Sequence, residues 1–336
     1  MMKVTLLTRD ATSLAFDCPA GQTVLEAAER AGFYPASMCR DGQCGQCGAH
    51  AVAGSYHLRP HNKDALPAGE NAILLCSCLP QSDLTIALPY DDAQLPRQVI
   101  PMREAVIEAL TPAGASAIFL TMRVKPDERL GQSVDFMPGQ YMEVELPGMA
   151  WHRAYSLTNL PNWEGHLEFL IRLVPGGAFS SWVAQTAKPG DLLNVRGPLG
   201  RFTVNEASPR ARWLVAGGCG FAPVLSILRQ MAAFQDVTPV HLIYGVNRAE
   251  DSVPVTILNE LREGIPQLQI TLAVWQGELP ADGVQGTVAE ILAARLAQAA
   301  ASPDLYVCGP PKMLETVLEA AYGAGLTDDH IFMERL

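Results

Sequence analysis

Cys39-Arg40-Asp41-Gly42-Gln43-Cys44-Gly45-Gln46-Cys47, followed by Cys76 at the end of the apolar run Ile73-Leu74-Leu75, sets four cysteines in the spacing C-x4-C-x2-C…C. Four thiolates so spaced on a loop are the ligand set of a plant-type [2Fe–2S] cluster. Gly42 and Gly45 let backbone N–H groups approach the sulfurs with no Cβ in the way, and such hydrogen bonds help to set a cluster's reduction potential. A zinc site favours paired C-x-x-C units, and this stretch holds one such pair. Cys76 and Cys78 both qualify as the fourth ligand. Cys18 and Cys219 read as small core or loop residues.

Residues 1–92 read as a small α+β unit. Strands are expected at Val4–Leu7, Ser13–Phe16 and Leu84–Leu88, with a helix running to Ala31. Thr23 is placed to cap that helix, Glu26 completes a capping box, and Gly32 stands where a helix ends. Pro89 to Pro101 carries two acids and three prolines without periodicity, so residues 93–101 are expected to be a linker.

From Met102 to Ser208 short alternating strands are separated by Gly and Pro: Arg103–Leu110, Ala117–Arg123, Gln140–Leu146, His166–Leu173 and Leu192–Val195. That rhythm predicts an antiparallel barrel. Within it, Arg153-Ala154-Tyr155-Ser156 puts a guanidinium and a phenol on one strand face, suited to a pyrophosphate and a flat ring, with a hydroxyl beside them. Arg172-Leu173-Val174-Pro175-Gly176-Gly177-Ala178-Phe179-Ser180 is a glycine turn opening a helix, whose free N–H groups form an anion site. Together these predict a flavin nucleotide.

Residues 209–336 change period. Apolar strands at Trp213–Ala216, Val240–Tyr244, Ile270–Val274 and Leu305–Cys308 alternate with helices near 223–235, 256–263, 287–300 and 311–323, which predicts a doubly wound parallel α/β sheet. The turn Gly217-Gly218-Cys219-Gly220 follows the first strand, and Cys308-Gly309-Pro310 ends another. Ligands of such sheets bind at the carboxyl ends of strands, so both loops are expected to flank one nicotinamide nucleotide site. Past the second strand, Glu250 and Asp251 favour a free ribose hydroxyl and NADH, against Arg248, which favours a 2′-phosphate.

The chain has 336 residues and a formal charge of −11, from 24 basic and 35 acidic side chains with no basic block. That balance argues against nucleic acid or an anionic membrane and leaves room for a partner with a basic docking face. No run is long and apolar enough for a signal peptide or a membrane span, so a cytoplasmic protein is expected.

The three motif sets, in this order, resemble the ferredoxin-type reductases of multicomponent bacterial oxygenases. Ser82–Tyr90, Asn159–Asn162, Gly165–Arg172 and Pro303–Pro311 look like the reductases of soluble methane monooxygenases; benzoate-type dioxygenase reductases share fewer of these segments. The resemblance implies an α+β multidomain chain: a β-grasp [2Fe–2S] ferredoxin domain (1–92), an FAD barrel (102–208) and an NAD domain (209–336). It implies cluster ligation by Cys39, Cys44, Cys47 and Cys76, the last suiting the strand end where the family's ligand falls. It also implies flavin contacts from Arg153, Tyr155, Ser156, Leu157, Arg172, Gly177, Phe179 and Ser180. Nucleotide contacts would come from Gly217, Gly218, Gly220, Asp251, Cys308, Gly309 and Pro310, and catalytic roles from Ser156, Cys308 and Glu334. The implied function is a monomeric reductase passing electrons from NADH through FAD and the cluster to a terminal diiron hydroxylase. Reductases of Rieske dioxygenases or of deoxysugar synthesis, and a redox sensor, are the alternatives. Two departures stand out: Cys219 where relatives usually carry Thr, and Leu336 where a terminal Phe would shield the flavin from oxygen.

Overall fold

The computed structural model describes residues 1–97, 100–148 and 152–335, with His152 described by its backbone alone. Leu336, and with it the expectation of poor flavin shielding, lies outside the described residues. The chain divides into two compact units, Met1–Pro101 and Met102–Leu336.

The first unit is built from β1 (Met2–Leu7), β2 (Ser13–Cys18), α1 (Val24–Arg30), β3 (Gly48–Ala53), β4 (Tyr56–Leu58), β5 (Ala72–Leu74), β6 (Cys78–Pro80) and β7 (Leu84–Ala87). Its five-stranded sheet has the order β2-β1-β7-β3-β5, with β1 and β7 parallel, and β4 pairs with β6 in a separate ribbon. The helix starts where its side chains dictate. Thr23 Oγ1 accepts from Glu26 N–H at 3.2 Å and the Glu26 carboxylate accepts from Thr23 N–H at 2.9 Å, satisfying two donors that a helix start leaves open. Val24, Leu25, Ala27 and Ala28 then bury against the sheet.

The linker expectation needs correcting. The segment after β7 straps back onto the first unit: Tyr90 and Leu95 belong to its core, each 3% exposed. Tyr34 N–H donates to Pro96 C=O at 3.0 Å, and the Arg97 guanidinium lies 5.0 Å from the Phe33 ring centroid. Arg9 also grips Asp91 at 2.9 Å, but both ends are exposed and such pairs contribute little, about 0–1 kcal/mol. The two apolar anchors decide the matter; their spacing, five residues apart among prolines, matches neither helix nor strand. Leu95→Ala is expected to destabilise this unit by about 2–3 kcal/mol, read as an earlier urea midpoint of cluster absorbance. An unchanged midpoint would mean that the strap is peripheral.

In the second unit β8 (Met102–Pro112), β9 (Ala117–Val124), β10 (Tyr141–Glu145), β11 (His152–Ser156), β12 (His166–Arg172) and β13 (Leu192–Leu199) form one antiparallel sheet, order β11-β10-β13-β8-β9-β12. A bridge between Leu157 and Phe169 joins its two edge strands, which closes the sheet toward a barrel. α2 (Ala178–Gln185) packs Phe179 and Val183 into its core.

The rest of the second unit comprises β14 (Arg212–Gly217), α3 (Phe221–Ala233), β15 (Val240–Val246), α4 (Val255–Gly264), β16 (Leu268–Val274), β17 (Gly283–Gln285), α5 (Val288–Leu296), β18 (Asp304–Gly309), α6 (Pro311–Gly323) and β19 (Ile331–Arg335). The six strands are all parallel in the order β17-β16-β15-β14-β18-β19. Four were expected. The two additional strands, β17 and β19, are the sheet edges: β17 holds a single apolar side chain, Val284, and the apolar start of β19, Ile331-Phe332-Met333, gives way to Glu334 and Arg335. α3 and α4 share one apolar core with the sheet, α5 and α6 another, as a doubly wound sheet requires.

Candidate functional site

In the first unit the loop between α1 and β3 carries Cys39, Cys44 and Cys47 against Cys76. Cys47 Sγ lies 3.2 Å from Cys76 Sγ. Gln43 and Cys44 N–H groups donate to Cys39 Sγ at 3.2 and 3.3 Å, and Cys39 N–H donates to Cys44 Sγ at 3.5 Å. The backbone reaches the sulfurs because Gly42 and Gly45 adopt φ of +78° and +80°. A Cβ on Gly42 would come within 2.7 Å of Ser77 Oγ, and one on Gly45 within 2.7 Å of Ala65 C=O, so these positions exclude other residues on two grounds.

Thiols this close cannot keep independent protons. Side-chain hydrogen bonds among the four thiols pull Cys39 and Cys47 toward the thiolate and push Cys44 and Cys76 up. Four soft donors brought together from this loop and from the turn after β5 fit iron, whose charge would hold all of them as thiolates. The two candidates for the fourth position differ in their surroundings, Cys76 lying beside the Cys47 sulfur. Cys78 is fully buried in the apolar core near Cys18, and burial pushes its thiol up to about 12.

In the second unit, β11 presents Arg153 and Tyr155 and ends at Ser156. The Tyr155 ring packs 5.3 Å from that of Phe179, and burial raises its phenol. With Leu157 opposite Phe169, the antiparallel run carries Arg153 toward the end of β12 that holds Arg172. The Gly176–Gly177 turn follows Arg172 closely in sequence, and the N-terminus of α2 has no side-chain cap, leaving N–H groups for an anion. This suits the diphosphate of a flavin nucleotide. Two expected contacts take different roles. The Ser180 hydroxyl is spent on its own turn, 3.2 Å from Val174 N and 3.0 Å from Val174 O, and Phe179 is 3% exposed inside the barrel core. Each retains a backbone N–H in the first helical turn.

The turn Gly217–Gly220 joins β14 to α3, whose N-terminus likewise lacks a side-chain cap. A Cβ on Gly220 would land on the Cys308 carbonyl, and one on Gly217 on the Met313 side chain. The two loops at the carboxyl edge therefore touch, as expected of a shared nucleotide site, with Pro310 capping α6. Met313 is a contact that the sequence reading missed. Asp251, expected at the ribose, accepts from Arg248 N–H at 3.2 Å within its own turn.

Three residues from distant parts of the second unit meet between these lobes. Glu334 stands opposite Cys308 across β18 and β19, and its Oε2 accepts from Ser156 Oγ at 3.3 Å. Glu334 is 1% exposed and its Oε1 has no partner among the described residues. Burial pushes its carboxyl up to about 8 against the pull of the Ser156 hydroxyl. Cys308 is fully buried, and burial, then the nearby Glu334 charge, holds its thiol well above the usual range. Cys219, in the glycine turn, is also kept neutral, its thiol pushed up to about 12 by burial. An orphaned buried carboxyl oxygen beside a hydroxyl and a neutral thiol is a polar cradle that a bound cofactor would complete. No motif in the sequence signals the clamp that holds this cleft: Arg229 on α3 donates to Glu168 Oε1 at 2.6 Å and to Thr158 C=O at 2.9 Å, and Ser226 donates to Asn159 C=O at 2.7 Å.

Comparison with known proteins agrees with this division. A 2Fe-2S iron-sulfur cluster binding domain matches residues 7–81, an oxidoreductase FAD-binding domain residues 106–204, and an oxidoreductase NAD-binding domain residues 214–319. The toluate 1,2-dioxygenase electron transfer component of Pseudomonas putida is 32% identical over 97% of this chain and 96% of its own length. The ferredoxin–NAD(+) reductase component of the alkene monooxygenase system of Xanthobacter autotrophicus is 35% identical over 96% and 97%. Methane monooxygenase component C of Methylosinus trichosporium is 35% identical over 77% of each chain. Among solved structures, a cytochrome P450 reductase from Amycolatopsis superposes with a TM-score of 0.76 at 26% identity, covering 99% of this chain and 98% of its own. No helix among the described residues is long and apolar enough to cross a membrane. Domain by domain and over its whole length, the chain belongs to the family of reductase, or electron-transfer, components of multicomponent oxygenases, and is an oxidoreductase with [2Fe–2S]-, FAD- and NAD-binding domains.

Proposed function

We propose that this reductase takes electrons from NADH and delivers them to the diiron hydroxylase of a hydrocarbon monooxygenase. Cys39, Cys44, Cys47 and Cys76 hold the cluster, Arg153, Tyr155, Arg172 and the N-terminus of α2 hold FAD, and the Gly217–Gly220 and Cys308–Pro310 loops hold the nicotinamide nucleotide. Bound FAD accepts a hydride and returns electrons singly, as a one-electron cluster needs. The observation that carries the reading is the meeting of Ser156, Cys308 and Glu334 between the barrel and the parallel sheet. There burial keeps the Glu334 carboxyl neutral at neutral pH while the Ser156 hydroxyl donates to its Oε2, and the buried Cys308 thiol stays uncharged, so no fixed charge would oppose a hydride passed to flavin bound in this cleft. The likeness to the alkene and methane monooxygenase components supports a diiron partner; the full-length likeness to the toluate 1,2-dioxygenase component keeps a Rieske oxygenase as the second reading.

The test is an anaerobic titration of the purified protein, first with NADH and then with NADPH, followed by mixing with each class of oxygenase. Flavin and iron–sulfur bands are expected to bleach together with NADH and to reoxidise on adding a diiron hydroxylase with oxygen and substrate. Flavin bleaching with the cluster bands unchanged would sink the electron path, and reoxidation by a Rieske protein alone would favour the second reading.

A further inference from the structure

We propose that Ser77 sets the reduction potential of the cluster by donating a hydrogen bond from its hydroxyl to the sulfur of Cys76. The proposal rests on the reading of Cys76 as a cluster ligand and concerns a residue that plays no part in holding iron. Ser77 is 2% exposed. Its backbone is fully engaged: its N–H donates to Leu74 C=O at 2.9 Å, and its C=O accepts from Arg59 N–H at 2.8 Å. The hydroxyl lies 3.8 Å from Cys76 Sγ, within reach of a sulfur hydrogen bond, and that sulfur is its one hydrogen-bond partner among the described residues. On its other side the hydroxyl abuts Gly42 of the cysteine loop, where a methyl group would come within 2.7 Å of it.

With free thiols either atom can act as donor. Coordination removes the ambiguity, because a thiolate sulfur has no proton and can only accept. The hydroxyl must then donate or be left buried without a partner, which is costly. A hydrogen bond to a ligand sulfur favours the more negatively charged reduced cluster over the oxidised one, and so raises its potential.

The experiment compares full-length wild type, Ser77→Ala and Ser77→Thr by a redox titration that follows the reduced cluster by electron paramagnetic resonance, with flavin absorbance as internal reference. At the ambient potential that half-reduces the wild-type cluster, the reduced-to-oxidised ratio in Ser77→Ala is expected to fall about three- to tenfold, tenfold being 59 mV for one electron. Ser77→Thr, which keeps the hydroxyl, is expected to stay within about twofold of wild type. An unchanged ratio in Ser77→Ala overturns the proposal, as does an equal fall in Ser77→Thr, which would assign the effect to packing. A cluster lost from Ser77→Ala and retained at the wild-type ratio in Ser77→Thr overturns it too, by making the hydroxyl a requirement for assembly. A wild-type protein without a cluster signal removes the ligand reading itself, a separate and recognisable failure.

Discussion

Cys76→Ala is expected to abolish the iron–sulfur absorbance of the purified protein while leaving NADH able to bleach the flavin. Electron delivery to a protein acceptor that draws on the cluster then falls to background, whereas reduction of a small acceptor that takes electrons from flavin continues. Cys78→Ala, two residues away, is expected to keep its cluster and to lose about 1–2 kcal/mol of stability, the cost of a small cavity in the core that it shares with Cys18. The contrast follows from position: Cys76 Sγ is 3.2 Å from Cys47 Sγ, while Cys78 faces apolar surroundings in which burial is the main influence on its thiol. Loss of the cluster from Cys78→Ala with retention in Cys76→Ala would reverse the assignment.

Glu334→Gln is expected to act on the pH dependence of both stability and rate. Complete burial raises the Glu334 carboxyl from 4.5 to about 8. Between those values the folded protein holds a proton that the unfolded chain has released, so this group's contribution to stability is fully present below pH 4.5 and is lost as pH rises to 8. The loss runs at roughly 1.4 kcal/mol per pH unit and totals on the order of 5 kcal/mol, which the glutamine variant, having no proton to lose, would not show. Wild type should therefore lose more thermal stability than the variant between pH 6 and about 8. Above pH 8 the wild-type carboxyl becomes an anion facing the cleft, and the rate of flavin reduction by NADH is expected to fall there, while the variant's rate is flat. At neutral pH, where both side chains are uncharged, the variant is expected to match the wild-type rate, and the two separate only as the wild-type carboxyl ionises. Parallel pH profiles in the two proteins would remove Glu334 from the reaction.

The local parts of this molecule were legible in the sequence. Cys39, Cys44 and Cys47 lie within nine residues, so their spacing alone sets the geometry of the loop that carries them. The Thr23–Glu26 capping box closes within four residues, and the buried strands of the parallel sheet announce themselves as apolar runs because both faces are covered. Edge strands β17 and β19 were not legible for the converse reason: exposure on one side dilutes the pattern.

What the tertiary structure alone decided involves partners far apart in the chain or environments that no single segment creates. Cys76 and Cys78 are equivalent by spacing, and only the packed core sets the Cys76 sulfur beside that of Cys47 and buries Cys78 among apolar side chains. Pro89–Arg97 has the composition of a linker, yet Tyr90 and Leu95 find the core of the first unit because that core leaves a place for them. Ser156 and Glu334 are 178 residues apart, and the raised proton affinity of Glu334 comes from desolvation by the surrounding fold. Spacing along the chain fixes which ligands and caps are available; burial and long-range contact, which exist only once the chain has folded, fix what their protons and electrons do.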